Sequence, residues 1–350
     1  MAATSTQAGP GAADASSRAL GLTAVVLTLA GWSSVPLFLK HFASSIDLWT
    51  SNGWRYGFSA LLWAPVLVWG WRRKTLPAGL WRASLVPAAF NSVGQVCFTA
   101  AHYQIDPGLL TFGLRTQILF VALGALLLFP AERVIIRAPG FIAGAVMVFA
   151  GAAGTGLLAE GGVGGASAAG FALAIGSGLM FAGYALSVRH FMHGMPSLTA
   201  FAAISQLTAL VMIVLMAALG ERMGAGAAEL GGEQFALLLV SAFIGIALGH
   251  VAYYMAIARL GVAVSSGVLQ LQPILVSFAS LGLFGERLSA AQWGCGGVAI
   301  AGAGLILYTQ HTLHRRAGAG AAHDEEEFAE LPPDMVAAAA CGEAEGERAD

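Results

Sequence analysis

The chain has 350 residues, of which 57% are hydrophobic and only 10% are charged, with a formal net charge of -2. A soluble globular protein carries about 25% charged residues, so this chain has too few polar side chains to cover a soluble domain. Its only lysines, Lys40 and Lys74, form no basic tract for nucleic acid. The composition therefore predicts an integral membrane protein whose surface contacts the lipid bilayer.

Both ends of the chain are polar, and we predict disordered tails at residues 1–18 and 310–350. The first is rich in Ala, Ser, Thr and Gly, and the second is Ala/Gly-rich with an acidic run at Asp324–Glu327. Neither tail has enough apolar side chains to offset the entropy of ordering.

Ten apolar stretches lie between the tails, each of about the 20 residues that a helix needs to cross the hydrocarbon core. Their approximate bounds are 20–40, 54–71, 84–103, 107–129, 139–157, 167–187, 198–219, 235–257, 262–284 and 291–309. They are too long and continuous for the alternating strands of a barrel. We predict an all-α integral membrane fold with ten transmembrane helices.

The basic residues orient this fold. With a cytoplasmic N-terminus, the inside segments hold eleven basic residues and the outside segments four, as the positive-inside rule requires. The outside residues are Lys40, Arg55, Arg222 and Arg259, and the inside residues are Arg18, Arg72, Arg73, Lys74, Arg82, Arg133, Arg137, Arg189, Arg287, Arg315 and Arg316. Both termini are then cytoplasmic, and we expect the chain in the bacterial plasma (inner) membrane.

The sequence repeats itself at an offset of about 155 residues. The matching pairs are Gly94–Ala101 with Gly249–Ala256, Arg115 with Gln270, Gln117 with Gln272, and Glu132-Arg133 with Glu286-Arg287. Each unit holds five spans, an odd number, so the second unit enters the membrane from the opposite side. We therefore predict two inverted five-helix repeats, at 19–157 and 166–309, which can expose a shared central site to each face in turn.

Several short motifs resemble the EamA type of the drug/metabolite transporter superfamily. They are Trp32–Pro36, the Glu-Arg pairs that close the fourth and ninth helices, and the Gly-rich fifth and tenth helices. The resemblance covers about residues 20–309. It implies a central cavity lined by helices one to four and six to nine, and export or exchange of small organic metabolites. The sequence departs from the repeat at one place, because the ninth helix has Pro273 where the fourth helix has Ile118. This difference argues against symmetric hinging of the two helices.

Arg115 is the main candidate for substrate binding, because charged residues at membrane depth are costly and mark functional sites. The sequence offers no carboxylate at its depth, since Asp47, Asp106, Glu132 and Glu286 all fall near helix ends. We predict that Arg115 binds an anionic group of the substrate. An arginine held by protein hydrogen bonds alone is the alternative.

Helical spacing and the repeat add further candidates to Arg115. The complete set of predicted substrate-binding residues is Arg115, His250, Gln95, Asn91, Gln270, Gln272, Trp32 and Tyr184. His102 and His250 are candidates for proton coupling, because histidine titrates near pH 7. The alternatives are interhelical hydrogen bonding for the amides and core packing for Trp32 and Tyr184. Gly140/Gly144 and Gly245/Gly249 predict close helix packing, and both Glu-Arg pairs are interpreted as markers of cytoplasmic helix ends.

The leading hypothesis is a secondary transporter that exports small organic metabolites of the amino acid or organic acid class. Neither lysine follows a glycine at Walker A spacing, and the sequence lacks HExxH and Cys/His metal-ligand spacings, so we expect no ATP hydrolysis, enzymatic activity or cofactor. A flippase for lipid-linked cargo and a non-transporting membrane subunit are the alternatives. Facilitated exchange, proton antiport and association into a homodimer all stay open.

Overall fold

The computed structural model describes residues 10–128, 137–158, 166–260, 265 and 268–330, and these residues are helical with short connections. The α-helices are α1 Pro10–Phe42, α2 Leu48–Arg72, α3 Leu80–His102, α4 Pro107–Leu114, α5 Gln117–Leu128, α6 Pro139–Leu157, α7 Ala166–Phe191, α8 Ser197–Leu219, α9 Gly231–Ala242, α10 Gly249–Leu260, α11 Gln272–Phe284 and α12 Ala290–Glu330. A 3-10 segment covers Glu221–Leu230, and a π-helical segment, Phe243–Leu248, joins α9 to α10.

The surface and the helix lengths identify a multi-pass membrane protein. The described helices that are long and apolar enough to cross a membrane are Arg18–Phe42, Pro139–Leu157, Ala168–Phe191, Leu198–Leu219, Glu221–Tyr253 and Ala290–Leu313. Large apolar side chains such as Leu61, Trp69 and Leu127 are exposed, as a lipid environment allows. These six helices support part of the ten-span prediction. Helices α2 and α3 are of similar length, but their polar residues exclude them from the six.

Both terminal helices are longer than the sequence predicts. Helix α1 begins at Pro10 and α12 continues to Glu330, so residues 10–18 and 310–330 are helical, contrary to the prediction of disordered tails. Ala, Arg and Glu have high helix propensity, and extension of an existing helix avoids the cost of nucleation. Residues 1–9 and 331–350 lie outside the described part of the chain.

Helix α2 also begins earlier than predicted, because Asp47 caps its N-terminus. The Asp47 Oδ1 atom accepts hydrogen bonds from the backbone N–H groups of Trp49 and Thr50, both at 2.9 Å. A carboxylate at this position satisfies free N–H groups and complements the helix dipole. The earlier start places Arg55 about two turns inside the helix instead of in an outer segment.

Helices of the first half pack on helices of the second half in matching pairs. Helix α1 packs against α10 and α11, whereas α7 packs against α3, α4 and α5. The remaining large interfaces pair α2 with α8 and α9, α3 with α8, α4 with α11, and α6 with α12. Each predicted span has a counterpart five spans away in the other half. When every span is replaced by its counterpart, each of these packing pairs becomes another of them or stays the same.

Glycines allow α6 and α12 to pack closely, and Gly144 is one of the residues for which the sequence predicts such packing. A Cβ on Gly144 would come within 2.6 Å of the Gly302 carbonyl, and one on Gly151 within 2.5 Å of the Ala299 backbone nitrogen. A side chain at either position would therefore push the two helices apart.

The fourth and ninth predicted spans are interrupted at equivalent positions of the repeat. Helix α4 ends at Leu114 and α5 begins at Gln117, while α11 begins at Gln272 after a turn at Gln270–Leu271. At both places the backbone bonds shorten to the three-residue type. The Thr116 N to Gly113 O distance is 3.2 Å, and the Leu271 N to Val268 O distance is 3.1 Å. The backbone is thus interrupted at both places, and the expectation that the two helices do not hinge symmetrically stays a prediction.

Glu286 lies at the same end of the molecule as Asp106. Its Oε2 accepts a hydrogen bond from Gly108 N at 3.0 Å and its Oε1 from Leu109 N at 3.1 Å, at the start of α4. Asp106 pairs with Lys40 at 2.8 Å. The predicted orientation puts Lys40 and Asp106 outside, so the interpretation of Glu286-Arg287 as a cytoplasmic end marker is wrong.

Arg259 lies instead near the start of α1, where a Cβ on Gly21 would come within 2.9 Å of the Arg259 Cβ. Arg259 then belongs to the inside segments and Arg287 to the outside segments. The count of basic residues stays at eleven inside and four outside. The counterpart pair Glu132-Arg133 lies outside the described residues.

Candidate functional site

Arg115 occupies the interruption between α4 and α5 and reaches toward the ninth predicted span. Its Nη1 donates to the Leu269 carbonyl at 3.0 Å, and its Nη2 donates to Gln272 Oε1 at 2.8 Å. The buried Nε has no hydrogen-bond partner, and no ion pair of Arg115 occurs among the described residues. Two neutral acceptors therefore hold this cation, and among the described residues no carboxylate balances its charge.

Gln272 connects Arg115 to helix α1. Its Nε2 donates to the Trp32 carbonyl at 2.9 Å, so its Oε1 is the atom that faces the guanidinium. The Trp32 indole Nε1 in turn donates to the Gly245 carbonyl at 3.1 Å, in the π-helical segment. A continuous polar network thus joins the fourth, ninth, first and eighth predicted spans.

Two prolines explain why backbone carbonyls accept these hydrogen bonds. The helical partner of the Leu269 carbonyl would be the N–H of residue 273, and that of the Trp32 carbonyl would be the N–H of residue 36. Both positions are proline, which has no N–H. Pro273 and Pro36 therefore leave the carbonyls that Arg115 and Gln272 use.

Aromatic rings form a wall beside this network. His250 stacks on Phe201 with ring centroids 4.8 Å apart, and its edge meets Trp32 at 5.3 Å. Tyr253 lies 5.1 Å from Trp32. A Cβ on Gly249 would collide with the Trp32 indole, so glycine at this position lets α10 approach α1. The packing predicted for Gly249 is thus present.

The network contains three of the predicted site residues, Arg115, Gln272 and Trp32, and a fourth, His250, lies in the aromatic wall beside it. His250 Nδ1 lies 3.0 Å from the carbonyl of Ile246 in the preceding π-helical segment, a neutral acceptor that a donating Nδ1–H would satisfy.

The other predicted site residues lie elsewhere. Asn91 donates to Thr208 at 3.2 Å between α3 and α8. Tyr184 packs in an apolar cluster with Trp63. His102 is fully buried, with Nδ1 2.7 Å from the Phe98 carbonyl. Gln95 is half-buried on α3, and Gln270 is half-buried in the turn that precedes α11.

Arg55 is not among the predicted site residues, yet it is only 1% exposed and its Nε donates to Ser241 Oγ at 3.0 Å. The predicted second span begins at residue 54, so Arg55 was assigned to an outer segment. Asp47 carries the signal that could have found it, because an acidic N-cap moves the helix start to Leu48. Phe201 and Tyr253 were missed because apolar rings carry no chemical pattern of their own.

These features define a polytopic membrane protein with a polar site enclosed between its two halves. Residues 168–308 match the model of the EamA-like transporter family. This part of the chain is therefore an EamA-like domain of the drug/metabolite transporter superfamily, and the predicted resemblance is confirmed for these residues.

Solved structures also resemble the chain, and eleven of their chains match it. One of them, described only as a protein crystal structure, is 18% identical, covers 87% of this chain and 99% of its own, and superposes with a TM-score of 0.56. At that identity the likeness shows a shared fold alone. The search of curated proteins finds no match.

Proposed function

We propose that this chain is a secondary transporter that exports small organic metabolites with an anionic group, of the amino acid or organic acid class, across the bacterial inner membrane. The EamA-like transporter match at residues 168–308 supports the transporter class. The observation that carries the anionic substrate is Arg115, a cation between the two halves with neutral acceptors and an unpartnered Nε.

A substrate carboxylate would supply the missing counter-charge of Arg115. Insertion of an arginine at the centre of a membrane helix costs about 2.5–3.5 kcal/mol, and charge-assisted hydrogen bonds to a carboxylate offset such a cost. The aromatic wall of Trp32, Tyr253, His250 and Phe201 provides an apolar surface for the rest of a small molecule. Together these groups suit a small amphipathic anion.

Transport would proceed by alternating access between two inverted repeats of five helices, residues 19–157 and 166–309. The matching packing pairs and the equivalent helix interruptions support this proposal. Arg115 belongs to one repeat and its acceptors Leu269 and Gln272 to the other. A substrate bound there contacts both repeats, so it can favour one relative arrangement over another.

The coupling mechanism has two versions, facilitated exchange and proton antiport linked to His250. Transport by a His250→Gln variant distinguishes them. A His-linked mechanism predicts that the wild-type rate changes between pH 5 and 8 and that the variant's rate does not. The same pH profile for both proteins would exclude the His-linked version.

Purified protein in lipid vesicles tests the proposed function. Vesicles loaded with an unlabelled amino acid or organic acid should accumulate the labelled compound by counterflow, whereas protein-free vesicles should not. Movement of a labelled lipid without counterflow of either compound class would favour the flippase alternative. The absence of both activities, in protein that remains folded, would contradict the transporter proposal.

A further inference from the structure

A second buried guanidinium lies outside the Arg115 network. Arg55 on α2 is 1% exposed, and its Nε donates to Ser241 Oγ of α9 at 3.0 Å. Among the described residues it has no ion pair. One neutral hydroxyl is little compensation for a cation removed from water.

The face of α2 around Arg55 is polar and buried. Ser51, Arg55 and Ser59 follow each other at four-residue spacing, and Asn52 lies on the same side. The Ser51 and Ser59 hydroxyls and the Asn52 Nδ2 are buried without hydrogen-bond partners. The Asn52 Oδ1 is already used, because it accepts from Thr99 at 2.9 Å. The unused groups are thus mainly donors, which an anion would satisfy.

Arg55 lies close to the proposed substrate path. Its Nη2 is 3.9 Å from the position that a Cβ on Gly245 would occupy, and the Gly245 carbonyl accepts the hydrogen bond of the Trp32 indole. Trp32 therefore connects in one direction to Gly245, beside Arg55, and in the other to Gln272, beside Arg115.

The two arginines also lie at similar depth. Helices α2 and α4 begin at the same end of the molecule, where Tyr103, just before α4, donates to the Ile46 carbonyl, just before α2, at 2.6 Å. Arg55 is about 10 Å along α2, and Arg115 about 12 Å along α4, at 1.5 Å per residue.

We propose that Arg55, with Ser51, Asn52 and Ser59, forms a second anion-binding subsite beside the one at Arg115. Its ligand is the second carboxylate of a dianionic substrate or a small inorganic anion bound next to the substrate. The substrate source rests on the proposed function, whereas binding of an inorganic anion does not.

Thermal unfolding of the purified protein in detergent tests this subsite. Melting temperatures would be measured against succinate, butyrate and chloride, each compared with methanesulfonate at the same sodium concentration. The proteins are the wild type, Arg55→Gln, Arg115→Gln and, as a matched control, the exposed Arg222→Gln. A dianionic substrate predicts that Arg55→Gln weakens succinate binding at least about tenfold and leaves butyrate binding unchanged. An inorganic ligand predicts that Arg55→Gln removes the chloride effect alone.

Either result, with wild-type behaviour of the Arg222→Gln control, supports the subsite. Equal responses of Arg55→Gln and wild type to all three anions would overturn it, as would a wild type that responds to none of them. If Arg55→Gln does not fold, Arg55→Lys and Ser241→Ala replace it, and wild-type anion affinities in both variants overturn the subsite. Normal anion responses and transport in Arg115→Gln would instead contradict the proposed function, so the two failures are distinguishable.

Discussion

The two helix interruptions have the same backbone and different chemistry. The first carries Arg115, whereas the equivalent position of the second carries Gln270. The second is followed by Pro273, whereas the first has Ile118, whose N–H bonds to the Arg115 carbonyl at 3.2 Å. Pro273 leaves the Leu269 carbonyl for the arginine of the other half. One repeat thus supplies the cation and the other supplies its acceptors.

This comparison shows how two related halves can form one asymmetric site. The helices are interrupted at positions that match at the sequence offset of 155 residues. Single substitutions then decide which half donates and which accepts. The site between the halves therefore depends on residues that differ between the repeats.

Removal of the cation is expected to have the largest effect. Arg115→Gln should abolish counterflow of the anionic substrate, because glutamine is neutral and cannot form charge-assisted hydrogen bonds to a carboxylate. Counterflow in vesicles measures this loss, and size-exclusion chromatography checks that the variant is folded. Wild-type transport by the folded variant would show that Arg115 serves structure alone.

A methyl group between α10 and α1 should have the next largest effect. Gly249→Ala should destabilise the protein by about 1–3 kcal/mol, because the new Cβ collides with the Trp32 indole. Thermal unfolding in detergent measures the change. Gly297→Ala is the matched control, since a Cβ there meets nothing within 4 Å. Equal melting temperatures for the two variants would contradict this packing.

Restoring an N–H group at position 273 should have a smaller effect. In a regular α-helical turn the N–H of Pro273→Ala would bond to the Leu269 carbonyl in competition with Arg115, so substrate affinity should fall about threefold to tenfold. The substrate concentration at half-maximal counterflow measures this change. Pro65→Ala, at an exposed proline of α2, should leave it unaltered. Unchanged affinity in Pro273→Ala would refute the role of the proline.

The smallest effect is expected at Glu286. Burial raises its pKa above the ordinary value of 4.5, and nearby Asp106 adds to the rise, against the hydrogen bonds from the start of α4. A raised pKa in the folded state means that stability is present below the unfolded pKa and is lost as the pH rises through the folded pKa.

The wild type should therefore lose stability relative to Glu286→Gln as the pH rises from about 4.5 to 8. Melting temperatures of both proteins across this range measure the difference. The exposed Glu233→Gln serves as control and should track the wild type at every pH. A difference that is constant, or that grows in favour of the wild type, would disprove the raised pKa.

The sequence predicts the class of fold and part of the site for clear physical reasons. Sparse charge and long apolar stretches follow from the lipid environment, and Arg115 stands out because a charge at that depth needs a partner. Trp32 and Gln272 also join the structural network around Arg115, and His250 lies in the aromatic wall beside it. Gly249 could be predicted because close packing requires a small residue.

Other features depend on tertiary contacts that no local pattern encodes. Pro36 and Pro273 are visible in the sequence, but the residues that use the freed carbonyls come from other helices. The assignment of Glu286 to the cytoplasmic end is different, because counting nine spans from a cytoplasmic N-terminus already places it outside, where its contacts with the start of α4 put it. Arg55 was missed because a hydropathy window cannot locate a capped helix start.

Chemical labelling from one side of the membrane tests most directly whether the two repeats are inverted. Single cysteines would replace Thr75, between α2 and α3, and Ala225, in the 3-10 segment, both of which are exposed. The background protein would lack Cys97, Cys295 and Cys341. A membrane-impermeant maleimide added to intact cells should label residue 225 and not residue 75. Labelling of both positions, or of neither until the cells are opened, would place them on one side and contradict the inverted arrangement.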